Sequence, residues 1–219
     1  MTKIRTSTID DQLESSYIDL LFQSTHAFAE DRSNPVLSVL GGEESISEEE
    51  KIPKDYLKFS GDLWRAYYHC HSSPLRREEE HGHFHIFYKP SANTKQHYAH
   101  LAYLSMDSLG QPLQLGLVNR WVTDGPWMEL SDVHSCFMVL GRNISTQFKS
   151  LSLVEKWLLS FIGIYKDETI ELYRQRDALI EKHLSCPAEL KKLQNNREIY
   201  GFTKIEIDLA SKLSFFFEV

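Results

Sequence analysis

No apolar run in this chain reaches the roughly 18 residues a membrane-spanning helix needs, and only three cysteines occur among its 219 residues. Cys70, Cys136 and Cys186 are widely separated and form no CxxC pair. That argues against a disulfide framework and a thiolate zinc knuckle, and leaves three reduced, mostly buried thiols. There is no glycine-rich phosphate loop, no GxSxG elbow and no Ser-His-Asp order. Positive charge is outnumbered, 24 Lys and Arg against 31 Asp and Glu. The net charge is −7 with histidines neutral, and the pairs Arg76-Arg77 and Lys191-Lys192 are too short for a nucleic-acid footprint. The opening stretch MTKIRTSTIDDQLESS has no apolar core segment. The expectation is a cytoplasmic protein without secretory signal, membrane span or nucleic-acid partner.

What is present suits an ordinary folded domain. Apolar residues make up 42% and charged residues 25%, enough for a core without staples, and we expect 1–219 to be a single domain. Residues 1–60 read as a helix and an acidic loop. Ile9, Leu13, Tyr17, Leu20, Leu21 and Phe28 recur at helical spacing over 9–31, and after Gly41-Gly42 the run Glu43 to Glu50 reads as solvated. Residues 61–124 read as an antiparallel meander of about four strands. The segments DLWRAYYHCH, HGHFHIFYK, HYAHLAYLSM and PLQLGLVNRWVT are separated by turn residues at Ser72-Ser73-Pro74, Pro90 to Thr94 and Asp107 to Pro112. Residues 125–219 read as mainly helical. Helical spacing runs from Leu153 through Ile180, as either one long helix or two with a break near Gly163 to Asp167, REIYGFTKIEI reads as a strand pair, and a final helix has Asp208 near its N-cap. The fold class expected is α+β: a central antiparallel sheet with amino- and carboxy-terminal helices packed on it.

The chemistry concentrates in the meander. RREEEHGHFHIFY, Arg76 to Tyr88, places His81, His83 and His85 on alternate residues, and YYHCH does the same for His69 and His71. Strand side chains alternate faces, so each set shares one face. A hairpin register with His69 opposite His83 puts His71 opposite His81 and brings all five rings to one surface. Neutral imidazoles in this number suit zinc or iron. His100 on the next strand adds a nitrogen, and Glu80 adds an acid/base or an acceptor for a ring N–H. An open coordination position would activate water. The competing reading is a polar layer in which the histidines hydrogen-bond to glutamates or backbone. The chain would then be a non-enzymatic interaction module, binding a protein partner or a second copy of itself through its carboxy-terminal helices. That reading expects an exposed apolar stripe over 152–184.

In NRWVT, alternation puts Asn119, Trp121 and Thr123 on one face and Arg120 on the other. Arg120 suits an anionic small-molecule group and Asn119 suits orienting a substrate. The plainer alternative is an Arg120 paired with a nearby carboxylate and a Trp121 in the core.

HGHFHIFYK is similar to the signature of the histidine-triad nucleotide hydrolases and transferases, which would make His83 a nucleophile. Gly82 stands where that family has a bulky apolar residue, and glutamates replace its upstream glutamine. The paired histidines are also similar to the HxH of cupins, without the glutamate that follows it there. A closer resemblance spans most of the chain. YYHCH, EHGHFHIF, HLAYLSMDSLGQPLQLGLVNRWVT and RQRD resemble a bacterial family of unknown function, with an EHGHFH stretch and an NRWVT strand. It implies no activity and draws attention to His69, His71, Glu80, His81, His83, His85, His100, Asn119, Arg120, Trp121 and Thr123.

Overall fold

Alternation of side chains between the two faces of β2 and β3, both almost wholly buried, decides how the sheet is dressed. A computed structural model describes residues 9–42, 46–48, 50–59, 61–71, 77–89, 97–142, 150–183 and 186–217. Its sheet is a six-stranded antiparallel meander in chain order: β1 (Ile52–Phe59), β2 (Trp64–His69), β3 (Gly82–Tyr88), β4 (Ala99–Met106), β5 (Pro112–Val118) and β6 (Gly201–Glu206). Trp64, Ala66 and Tyr68 of β2 and Phe84, Ile86 and Tyr88 of β3 enter the hydrophobic core, joined by Leu104, Met106, Leu115 and Leu117. The intervening Tyr67, His69, His83 and His85 therefore occupy the opposite face.

Helices fill the core side. α1 (Ile9–Glu30) packs on α5 (Leu153–Ile164). A Cβ on Gly163 would lie 2.5 Å from the Tyr17 ring, so the bare glycine lets that ring seat against α5. A Ser152–Glu155 capping box starts α5, and Glu155 also accepts from the Lys58 backbone N–H at 3.0 Å, tying the helix to edge strand β1. α6 (Lys166–His183) crosses β5 and β6: Tyr173 donates to the Leu101 carbonyl at 2.8 Å and Thr203 to the Leu172 carbonyl at 2.9 Å. The remaining helices among the described residues are α2 (Pro35–Leu40), the single turn α3 (Arg120–Thr123), α4 (Leu130–Arg142), α7 (Pro187–Gln194) and α8 (Leu209–Phe217). No helix among the described residues is long and apolar enough to cross a membrane.

The α+β class and the flanking helices agree with expectation, but the sheet has six strands rather than four. β1 lies in the segment read as helix and acidic loop. Its exposed Lys54, Asp55 and Lys58 spoil the apolar alternation, as edge strands commonly do. REIYGFTKIEI supplies one strand, not two. NRWVT is not strand: β5 stops at Val118 and the chain turns helical, with Asn119 capping and Asp124 left-handed at φ 51°. The helix break falls at Tyr165, inside the expected interval, and Asp208 caps the last helix through the Ser211 N–H at 2.9 Å. The 152–184 stripe is largely internal, with Trp157, Phe161, Ile170 and Tyr173 buried and Leu179 exposed. The turns at 72–74 and 90–94 and most of the acidic run, Glu43, Glu44 and Glu49, lie outside the described residues.

Candidate metal centre

The β2–β3 register sets His69 directly opposite His83. Their Nε2 atoms approach to 2.8 Å and their ring centroids to 4.5 Å. His85, two residues along β3, lies 4.9 Å by ring centroid from each of them. One nitrogen each from His69, His83 and His85 lies within 4.8 Å of the others, so these three buried side chains could hold a metal ion.

Neighbours fix the outward-facing nitrogens. Glu80 places one carboxylate oxygen 2.8 Å from His83 Nδ1 and accepts from the Ser105 hydroxyl with the other, also at 2.8 Å. With Glu80 ionised, His83 carries its proton on Nδ1, and its Nε2 presents a lone pair toward His69. His85 Nδ1 lies 2.8 Å from His100 Nε2, which leaves the Nε2 of His85 for the cluster. His69 Nδ1 is buried with no hydrogen-bond partner.

Burial favours the neutral imidazoles that metal ligation requires. Burial first, then the neighbouring His83 and His71, lowers the His69 pKa to about 3. Burial and His83 lower His100 to about 3 as well. His85 is driven well below its ordinary value, chiefly by burial.

His71 lies beyond the end of β2, yet its ring remains 5.1 Å from that of His83, and its Nε2 meets the Tyr200 hydroxyl at 3.0 Å. His81 departs from expectation. The β3 ladder begins at Gly82, and His81 stacks on Tyr68, whose hydroxyl is 2.9 Å from its Nδ1. Because Tyr68 belongs to the core side, the shared face expected for His81, His83 and His85 does not extend to His81.

Asn119 and Arg120 face a different neighbourhood. Asn119 is fully buried. Its amide donates to the carbonyls of Leu193 at 2.8 Å and Ile199 at 3.0 Å, while its oxygen accepts from the Arg120 N–H at 2.8 Å. Arg120 donates to Asn195 at 2.6 Å and lies 3.9 Å from Asp124, so its guanidinium serves the same loop. Trp121 donates to the Ile199 carbonyl, and half-buried Thr123 borders a cleft on the far side of His69.

A cleft of about 240 Å³ opens beside His83, lined by His71, Glu80, Tyr103, Gln114, Tyr200 and Lys204 among others. The Tyr103 ring lies against Gly116, where a Cβ would come within 2.6 Å. Tyr103 donates to Gln114 at 2.6 Å, and burial raises its pKa. Ser105 and Tyr200 were missed in the sequence. Ser105 had one available signal, since it stands opposite His83 on β4; Tyr200 arrives from a distant segment and had none.

Comparison of the chain with the curated proteins and with the solved structures finds no match. A family model described as "Domain of unknown function (DUF6969)" matches residues 16–207, which take in every strand and every histidine of the cluster. The chain belongs to this family of unknown function.

Proposed function

We propose that the protein binds one transition-metal ion, zinc or iron, through His69, His83 and His85, and that the bound ion serves a metal-dependent reaction in the adjoining cleft. The observation that carries this reading is the pair of facing Nε2 atoms at 2.8 Å, with the far nitrogen of His83 held by Glu80. Without an ion, His69 must donate from Nε2, leaving its buried Nδ1 bare. Two ligand nitrogens on a tetrahedral zinc at 2.0–2.1 Å stand about 3.3 Å apart, so a small opening of this pair admits the ion.

Three histidines leave a coordination position for water or substrate, the arrangement found in catalytic rather than structural zinc sites. A metal ion there would lower the pKa of bound water. Glu80 acts by holding the His83 tautomer and strengthening that ligand. His100 does the equivalent for His85. Attack on phosphorus by His83, the histidine-triad alternative, is disfavoured because its Nε2 already meets His69 and the ring is buried.

Metal analysis of protein purified without a histidine tag tests the reading. The expected result is about one zinc or iron per chain, lost in His83→Ala and His85→Ala. Absence of stoichiometric metal, with no change in either variant after chelation and reloading, would refute it.

A further inference from the structure

A second cleft, of about 480 Å³, lies on the other side of His69. β2 builds its floor: His69, Tyr67 and Arg65 point the same way at two-residue spacing, so His69 and Arg65 stand about 13 Å apart with Tyr67 between them. Phe87 stacks beside Tyr67 at 5.5 Å with 28° between planes, and Tyr56 meets Tyr67 edge-on at 5.7 Å. Tyr56 sits at φ 62°, a left-handed conformation bulky residues rarely take. It lies in the irregular stretch of β1 between Ile52 and Leu57, and such irregularities re-aim side chains beside functional sites.

Lys51, Arg65 and one carboxylate, Asp124, line this cleft. Arg65 lies 4.1 Å from the Tyr98 ring and is neutralised by Asp62 through two bonds of 2.9 Å. Lys51 holds its ammonium 4.9 Å over the Tyr67 ring and pairs with no carboxylate among the described residues. The rings of Tyr67 and Phe87, 5% and 8% exposed, beside an ammonium with no carboxylate partner among the described residues, select on two counts. A planar ring gains stacking that an aliphatic chain forgoes, and a carboxylate gains a charge-assisted bond that its neutral amide forgoes.

We infer that this cleft binds a planar aromatic carboxylate, its ring against Tyr67 and Phe87 and its carboxylate at Lys51. The inference goes beyond the metal-centre reading: His69 lines this cleft, but the metal-dependent reaction is proposed for the other cleft, beside His83. Binding itself draws on Tyr67 and Lys51.

Calorimetric titration of the full chain with naphthoate, naphthamide and octanoate tests it, on metal-loaded and on chelator-stripped protein. Naphthoate should bind at one site, about tenfold or more tighter than either control, as one charge-assisted bond or one stacked ring implies. Lys51→Met, at an exposed position, should abolish the preference over naphthamide. Lys54→Met, exposed on β1 three residues later, should keep it. Equal binding of the amide or of octanoate, an unchanged Lys51→Met, the same loss in Lys54→Met, or no saturable binding below millimolar would each overturn the inference. Stoichiometric metal without naphthoate binding removes this inference alone; selective naphthoate binding to a chain that takes up no metal supports the cleft and removes the metal reading.

Discussion

His69 and His83 face one another across adjacent strands with 2.8 Å between their Nε2 atoms, and Glu80 holds the opposite nitrogen of His83. Nothing in backbone pairing demands this. A β2–β3 pair forms equally well with apolar residues on both faces, so a buried row of imidazoles needs a compensating interaction. A bound metal ion would supply one, because it would convert lone pairs that otherwise compete for a proton into ligands.

Glu80→Gln keeps the shape of the side chain and removes its charge. Metal affinity should fall about 10- to 100-fold, the usual cost of losing the group behind a histidine ligand. A chelating dye in competition with the protein measures this. Ser105→Ala removes only the second support of that carboxylate and should have a smaller effect in the same direction.

Asn119→Ala should separate architecture from chemistry. The buried amide donates to the carbonyls of Leu193 and Ile199, which keep the Asn196 N–H and the Trp121 indole as donors, so losing two net hydrogen bonds should cost about 1–3 kcal/mol at roughly 0.5–1.5 per bond. Urea denaturation should show that loss while metal stoichiometry stays intact. Unchanged stability with lost metal would move Asn119 back to the site.

The metal-free protein should lose stability in acid. In the fold, His69 and His100 protonate only near pH 3, and His85 also resists protonation; unfolded, each has a pKa of about 6.5. The unfolded chain therefore binds more protons below that pH. The contribution of these groups is fully present above about pH 6.5 and is lost progressively as pH falls toward 3. Urea midpoints of stripped protein between pH 7.5 and 4.5, a window on the order of that pKa gap, should fall with acid. His85→Phe should flatten the slope.

Gly82→Ala probes the strand crossing at the cluster. A Cβ there would stand 2.6 Å from the His69 carbonyl and 2.8 Å from the Tyr68 hydroxyl. The variant must shift β2 against β3, so it should be destabilised by about 1–3 kcal/mol and bind metal more weakly. A melting temperature and affinity equal to wild type would show that the close approach does not matter. The same crowding explains why a bulky residue of the histidine-triad type cannot stand here.

Much of the site was legible because period-two alternation is a local rule. It gave the common face of His69 and His71 and that of His83 and His85, whereas the His69–His83 register was an assumption that the strand pairing bears out. It failed at His81, where the ladder has not yet begun and Tyr68 captures the ring. Aromatic and β-branched content made NRWVT look like strand, but Asn119 satisfies carbonyls more than 70 residues away and turns the chain helical. β1 escaped notice because an edge strand with lysines and an aspartate hides its alternation. The aromatic cleft along Tyr67 likewise depends on a backbone irregularity at Tyr56 that no sequence period reports.

X-ray absorption on the zinc-loaded protein tests the central claim most directly. Ligation by His69, His83 and His85 gives a first shell of about three imidazole nitrogens and one oxygen near 2.0–2.1 Å, with imidazole scattering reduced by one ring in His85→Ala. An all-oxygen shell, or a spectrum unaltered by His85→Ala, would contradict it.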